Sequence, residues 1–307
     1  MSDTSESIVL ETTRRIMADL ADPQTVNAAK DDGYKAPLWN ALEESGLTLA
    51  WVPEEAGGIG ASVADGFDIL RIAGQYAVPV ALSETLLAGR LLASSGQQCP
   101  AGPMTVAPVR ERDTVELAGD GTISGTAKSV PFARDAKTIV VIAASADGHA
   151  VAMVDPAACT FNQRPHDMGS DRADIVFQSV VPTSVGQFRD GEDKDAFWLL
   201  GAAARACQMT GALESCLAIG TQYTQERHAF GRPIAKFQAV QQNLAQLAGE
   251  VAASLTAAGS AADTLDQEPD NAAAVFLEVA SAKIRVGEAA RDGTAIAHQV
   301  HGGIGFT

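Results

Sequence analysis

The sequence predicts a mainly α-helical protein with a small β-domain: an N-terminal helical domain, a middle β-barrel or sandwich, and a C-terminal antiparallel helical bundle. Three observations carry this reading. Apolar residues make up 46% of the 307 residues but aromatics only 5%, and Ala and Leu, which lose little side-chain entropy in a helix, dominate the apolar set. Short β-branched runs separated by turn residues are confined to one central stretch. Long helical stripes then fill the last third. The expected boundaries are residues 1–102, 103–190 and 191–307.

In the first block Ile8, Thr12, Ile16 and Leu20 recur every four residues. Pro37 to Leu42 starts a second helix that Gly46 ends. Phe67, Leu70, Ala73 and Tyr76 form a third stripe, and Ser83 before Leu86, Leu87, Leu91 and Leu92 reads as the cap of a fourth. A glycine-rich loop, Val52 to Gly60, lies between the second and third. Gln97 to Pro108, with its prolines and Gly102, marks the boundary. Val115–Leu117, Thr122–Lys128, Thr138–Ala143, Ala150–Val154 and Ile175–Val181 then read as strands, with turns at Asp120-Gly121 and Asp147-Gly148.

Beyond about Asp190, Phe197–Glu226 is apolar nearly all round. Gln238–Thr264 carries the stripe Val240, Leu244, Leu247, Val251 and Leu255. Asn271–Val300 places Phe276, Val279 and Ile284 on its expected core side.

Composition excludes several functions. With 22 Lys plus Arg against 38 Asp plus Glu, the net charge is −16, unsuited to a nucleic-acid or anionic-membrane surface. No apolar run reaches the roughly 18 residues of a membrane span. The polar, acidic N-terminus is wrong for a secretory or transit signal, so a cytoplasmic location is expected. Cys99, Cys159, Cys207 and Cys216 show no C-x-x-C spacing, so they read as buried thiols of a reducing compartment.

Several familiar motifs fail. Gly58-Ile-Gly60 lacks the third glycine of a dinucleotide fingerprint and reads as a turn. Gly186 to Gly191 imitates a phosphate loop until Glu192 stands where lysine belongs. His298 and His301 have no accompanying carboxylate or cysteine pattern, so no metal is expected.

Two segments carry more information. In Glu226 to Gln238 a long helix ends beside Arg227, a loop adds Arg232 and Lys236, and Gln238 opens the next helix, whose free N–H groups favour an anion. Arg227 can fork onto a phosphate or carboxylate; on the residues alone, helix capping and an ordinary interhelical turn explain the segment equally well. At the chain end Gln299-Val-His-Gly-Gly-Ile-Gly-Phe-Thr307 runs a helix into Gly302-Gly303, where backbone can approach a flat or phosphorylated ligand. The alternative there is a glycine helix cap.

Together, Arg227-x-x-Phe230-Gly231 with Gln238 seven residues on, Gln299-x-x-Gly302-Gly303-x-Gly305, and the Val52–Gly60 loop resemble the acyl-CoA dehydrogenase family, whose three-block order matches the one read above. The resemblance implies FAD-dependent α,β-dehydrogenation of an acyl-CoA thioester, a tetrameric assembly and an electron-transfer acceptor protein. It implies that Arg227, Phe230 and Gln238 belong to the FAD site, Arg227 and Gln238 at the pyrophosphate, and that Gln299, Gly302 and Gly303 line the adenosine end. Three departures stand out. The family's Thr-Glu-Pro-x-Ala-Gly-Ser-Asp loop is absent from Pro103–Asp113, and Ser129-Val-Pro-Phe132 replaces a stretch that packs at the flavin. The family's early-helix glutamate falls at Gly201, and the other usual location lies after the Gly-Gly-x-Gly motif, beyond Thr307, so no catalytic base is named. Glu214 and Glu226 sit at the wrong helical positions to substitute. The shortened form resembles the degenerate subunit of heteromeric bacterial members acting on bulky, steroid-like thioesters. The alternatives are a non-catalytic subunit that completes a partner's FAD site, and a flavin oxidase or monooxygenase on the same scaffold.

Overall fold

The computed structural model describes residues 8–29, 31–163, 172–189 and 193–306. It shows N-terminal helices, a middle β-sheet domain and a C-terminal helical bundle. Helix α1 (Ile8–Leu20) buries Ile16 and Met17. Asp22 accepts bonds from the N–H groups of Gln24 (2.9 Å) and Thr25 (3.1 Å), and with Pro23 it starts α2 (Pro23–Ala28). Helix α3 (Lys35–Glu44) buries Leu38, Trp39 and Leu42, and Gly46 ends the helical path at φ 73°. Helices α4 (Val63–Gln75) and α5 (Leu82–Ser94) follow. Ser83 does not cap α5. It lies inside the first turn, with its Oγ buried and unpartnered, while Ala81 holds the cap position without a side-chain bond. Burial of the whole first turn has overridden the local capping signal.

Packing divides the chain into two units, Met1–Gly66 with Pro79–Trp198, and Phe67–Val78 with Leu199–Thr307. In the first, the loop between α3 and α4 bonds to itself: Gly60 N–H to Val52 O (2.9 Å) and Gly58 N–H to Pro53 O (3.0 Å). A Cβ on Gly58 would sit 2.0 Å from Val52 O, so its glycines serve a tight turn, as read from the sequence.

The β-domain of this unit is one eight-stranded sheet. Its strands are β1 (Met104–Ala107), β2 (Val115–Leu117), β3 (Ile123–Pro131), β4 (Thr138–Ser145), β5 (Gly148–Val154), β6 (Thr160–Gln163), β7 (Arg172–Val180) and β8 (Ser184–Gln187). The order is β6-β7-β3-β2-β4-β5-β8, and β1 also pairs with β4. β1 and β2 divide one side of β4 between them, both parallel to it: Met104–Ala107 against Thr138–Val141, and Glu116 against Ala144. The remaining pairings are antiparallel. Ile139–Ala143 is buried without a break, as a strand covered on both faces requires. Ile139, Val141 and Ala143 share a core with Ile123, Ala127, Val154, Ile175 and Phe177.

Helix and sheet are joined by polar ties. Thr85 Oγ1 accepts from Met104 N–H (3.0 Å) and gives its own hydrogen to Ala81 O (2.7 Å), while Gln97 Nε2 donates to Val151 O (3.1 Å). Strands β1, β6 and β8 were not anticipated. The Pro103–Asp113 stretch, read as a replacement for a family loop, supplies β1. Gly186 of the rejected phosphate-loop match sits in β8, paired with Val151; the rest of that match falls partly outside the described residues.

The second unit holds the rest of α4 and most of α6 (Lys194–Glu226), with α7 (Gln238–Gln267) and α8 (Ala272–His301). Asn271 caps α8 by accepting from Ala274 N–H (3.2 Å). Leu213, Leu247, Val251 and Ala289 form the central cluster. A Cβ on Gly293 would lie 2.8 Å from Leu213 Cδ2, so α8 approaches α6 through a glycine.

The crossing of α4 and α6 is tighter. Added Cβ atoms would fall 2.0 Å from Gln208 O at Gly74 and 1.8 Å from Arg71 O at Gly211. Arg71 spans the contact, its Nη1 donating to both Glu214 oxygens (3.2 and 3.0 Å), and Gln75 Nε2 adds a third bond to Glu214 (3.0 Å). Burial acts to lower the Arg71 pKa, but the bond and charge of Glu214, with Asp68, outweigh it and hold the guanidinium above its ordinary value.

Two expectations change. Val279 is buried, but Phe276 and Ile284 are 62% and 65% exposed; the small residues Ala282, Ala289 and Gly293 line the packed side instead. Of the four cysteines only Cys207 is buried, and the others are half-buried. Burial pushes the Cys207 thiol up to about 12 and those of Cys99 and Cys159 up to about 11. Among the described residues no helix is long and apolar enough to cross a membrane.

Replacing Gly211 with Ala should cost about 1–3 kcal/mol through overpacking at the α4–α6 crossing. Gly259→Ala, on an open face of α7 with nothing near the added Cβ, should instead stabilise by about 0.5–1 kcal/mol. Urea denaturation of both variants checks the contrast, and equal effects would contradict the crossing.

Candidate functional site

The segment between α6 and α7 is a two-residue β-hairpin. β9 (His228–Ala229) pairs with β10 (Arg232–Pro233), Arg232 opposite Ala229 and Pro233 opposite His228. Phe230 and Gly231 form the turn at φ 52° and 76°. Positive φ at both central residues matches the twist of a right-handed hairpin, and Gly231 takes it freely. Phe230 takes it under strain, and the residue is 96% exposed.

Backbone bonds fix the base of the hairpin: Arg227 N–H to Tyr223 O and Ile234 N–H to Arg227 O, both 2.8 Å. Phe237 anchors the far side. Its ring meets Phe230 edge-on at 6.2 Å, and the Arg232 guanidinium lies 4.5 Å over its face, a contact of roughly 0.5–1 kcal/mol at an exposed site. Gln241 Nε2 donates to Ala235 O (2.9 Å) and steadies the short turn before α7.

This geometry gathers cations at a helix start. Arg227, Arg232 and Lys236 are all exposed. Phe237, at the cap position of α7, offers no side-chain bond to the first turn, and Gln238 is exposed at its start. An uncapped 30-residue helix presents unsatisfied N–H groups and the positive end of its dipole. Guanidinium groups, an amide and free N–H donors at one place suit a phosphate or pyrophosphate.

The predicted C-terminal residues lie at the same end of the bundle. Gln299 is exposed on the last turn of α8, followed by exposed Gly302 and Gly303. Gly302 sits at φ 62° and ψ −139°, a region that essentially only glycine enters. Added Cβ atoms on Gly302 and Gly303 would meet nothing within 4 Å, so both offer bare, open backbone.

The contact joining the two segments pairs His301, weighed above only as a metal ligand, with Tyr223, which the sequence does not single out. The Tyr223 and His301 rings stack at 4.5 Å and 28°, and Tyr223 Oη donates a long 3.5 Å bond to His301 O. A Cβ on Gly220 would touch Val300, Leu244 and His301 at 3.5–4.0 Å, so α6, α7 and α8 converge here. His298 and His301 direct Nδ1 to backbone oxygens, Gly305 O (2.6 Å) and Ala297 O (2.7 Å). Among the described residues no group of three or more His, Cys, Asp or Glu could hold a metal.

Two carboxylates near the expected position of a base are engaged. Glu214 is held by Arg71 and Gln75, and Glu226 accepts from Gln222 (2.8 Å) on an exposed face. Gly201, within α6, carries no proton-accepting side chain. In the sheet unit, Ser129 of the Ser129–Phe132 stretch adopts φ 59° at a bulge between β3 and β7. Asp174 accepts its N–H (2.8 Å) and Arg172 donates to its carbonyl (3.1 Å).

The chain thus combines a β-sheet domain with a helical bundle that carries a cationic turn between α6 and α7 and a glycine turn after α8. The family described as "Acyl-CoA dehydrogenase, C-terminal domain" matches residues 199–307. Acyl-CoA dehydrogenase IpdE2 of Mycolicibacterium smegmatis is 31% identical, over 100% of this chain and 89% of its own length. The chain belongs to the acyl-CoA dehydrogenase family. Among solved structures, the Tcur3481-Tcur3483 steroid ACAD, determined as a variant, superposes with a TM-score of 0.82 at 25% identity, covering 97% of this chain and 86% of that one. The ChsE4-ChsE5 complex from Mycobacterium tuberculosis gives 0.82 at 21% identity over 97% and 86%, a likeness of fold. Members of this family bind FAD.

If the Phe230-Gly231 turn sets the hairpin, Gly231→Val should strain it and open the bond from Ile234 N–H to Arg227 O. Hydrogen exchange at Ile234 should accelerate roughly tenfold or more, with α7 interior amides unchanged. Equal exchange in both proteins would contradict the turn assignment.

Proposed function

We propose that this chain binds FAD at the bundle end just described and serves in α,β-dehydrogenation of an acyl-CoA thioester, as one subunit of a heteromer acting on a bulky, steroid-like acyl group. The observation that carries the reading is the placement of Arg227, Arg232 and Gln238 at the uncapped start of α7, tied to the open Gly302-Gly303 turn. Arg227 and Gln238 would hold the pyrophosphate. Gln299, Gly302 and Gly303 would face the adenosine end, where missing Cβ atoms leave room. Phe230, projecting from the hairpin, would pack at the same cofactor, and its exposure suits a site completed by a neighbouring subunit.

When bound, the flavin supplies a two-electron acceptor for the substrate's β-hydride as a base removes the α-proton. The chain's own part is to orient the cofactor and neutralise its phosphates. The steroid reading is supported by the likeness to the Tcur3481-Tcur3483 steroid ACAD. An assembly is supported by the exposed Phe276, Leu277 and Ile284 of α8, apolar surface that association would cover. An electron-transfer protein would reoxidise the flavin.

One set of observations favours a second reading, a non-catalytic subunit that completes a partner's FAD site. Gly201 stands where some relatives keep the base, and Glu214 is spent on Arg71 and Gln75. The two readings agree on Arg227.

Arg227→Ala should weaken FAD retention by roughly ten- to a hundredfold, the loss of a charge-assisted contact, seen as lower flavin absorbance per chain after gel filtration. Unchanged occupancy would contradict the site. Copurification with a longer, glutamate-bearing relative would support the heteromer.

A further inference from the structure

The two segments assigned to the cofactor belong to ends of different helices. Arg227 follows the last residue of α6, and Gly302 follows the last residue of α8. Helix ends are the least stable parts of a helix, so two unconnected ends would each have to be ordered when a ligand spanning both is bound. That ordering costs affinity unless the free protein already holds them in register.

Beyond the general packing of the bundle, one ring contact at the very ends of α6 and α8 supplies such a connection. Tyr223 lies one helical turn before Arg227, and its carbonyl accepts the Arg227 N–H at 2.8 Å. His301 is the last residue of α8, and the chain turns immediately after it at Gly302. Their rings stack at 4.5 Å. Both are half-buried, so neither ring swings freely. His301 is fixed on its other side by Ala297 O at 2.7 Å; because a carbonyl only accepts, Nδ1 carries the hydrogen. His298 in turn holds Gly305 O at 2.6 Å and closes the turn behind Gly302-Gly303. The chain of contacts runs without a gap from Arg227 through Tyr223 and His301 to the glycine turn, between residues 78 positions apart in sequence.

We propose that Tyr223 and His301 are a positioning pair that locks the cationic hairpin and the Gly302-Gly303 turn into one surface, so that the pyrophosphate and adenosine parts of FAD are bound as a unit. The proposal rests on the FAD reading above. It assigns no chemical step to either residue. Their effect is on preorganisation, and it falls on ligands that reach both segments.

That gives a readout that a merely structural role would not move. FAD spans both segments, whereas FMN lacks the adenosine end. The purified protein, stripped of flavin, is titrated with FAD and with FMN by calorimetry, together with His301→Ala, His301→Phe and Tyr223→Leu. His301→Ala and Tyr223→Leu should raise the Kd for FAD by roughly tenfold, the range an aromatic stack supports, and leave that for FMN within about twofold. His301→Phe keeps a ring against Tyr223 and should stay within about threefold of the parent for FAD. Circular dichroism melts establish that each variant is folded. FAD affinity unchanged in His301→Ala overturns the proposal, as does an equal loss for FAD and FMN, which would mark general support of the bundle end. A loss in His301→Phe as large as in His301→Ala also overturns it, since the stack would not be the tie. Failure of the parent protein to bind FAD would instead sink the underlying reading, and is seen before any variant is compared.

Discussion

The close crossing of α4 and α6 is the constraint on which the bundle end depends. Gly74 and Gly211 let the two backbones meet where any Cβ would fall about 2 Å from a carbonyl oxygen, and Arg71 clamps the contact onto Glu214. Once Gly211, Glu214 and Ser215 face α4, the rotation of α6 about its axis is set. Ser215 Oγ confirms that rotation by donating to Gln75 O at 2.6 Å. One turn after another, the same rotation carries Gly220 to α7 and α8, and Tyr223 to His301. Arg227 leaves the helix from a backbone already fixed in phase.

The same crossing accounts for part of the chemistry. A carboxylate that accepts three hydrogen bonds from a guanidinium and an amide is occupied in structure, and freeing it to take a proton would leave Arg71 half-buried without its main partner. Glu214 therefore serves packing. What remains at this end of the molecule is cationic and donor-rich: Arg227, Arg232, Lys236 and the start of α7, on a chain whose net charge is −16. The acidity of the whole and the basicity of the site are compatible because a local field is set by the nearest groups.

Much of this was legible in the sequence, for identifiable reasons. The ends of α6 and the start of α7 coincide with Glu226 and Gln238, because the turn chemistry of Phe230-Gly231 and Pro233 leaves no room to extend either helix. Asn271 marks the start of α8 because its side chain caps it. β2 coincides with the Val115–Leu117 segment read from the sequence ahead of the Asp120-Gly121 turn. Strand β1 was missed because it lies in the proline-rich boundary from Gln97 to Pro108, and β6 and β8 because each carries a single large apolar residue, Phe161 and Val185. Ser83 misled because burial outweighs a local cap. Phe276 and Ile284 misled because a bundle packed through alanine and glycine leaves its larger side chains outside. The Tyr223–His301 stack had no signal in one sequence, since nothing local links residues so far apart. The candidate site residues were found through motifs, and the structure adds how the two motifs meet.

The central proposal is that this chain holds the cofactor while a partner subunit brings the base, since Gly201 carries no proton acceptor and Glu214 is held by Arg71 and Gln75. The most direct measurement is an anaerobic titration of the purified, flavin-loaded chain, free of other subunits, with a steroid-like acyl-CoA, following the flavin absorbance. The account predicts a yellow protein that acyl-CoA does not bleach until a glutamate-bearing partner is added. Bleaching of the chain alone at a catalytic rate would contradict it.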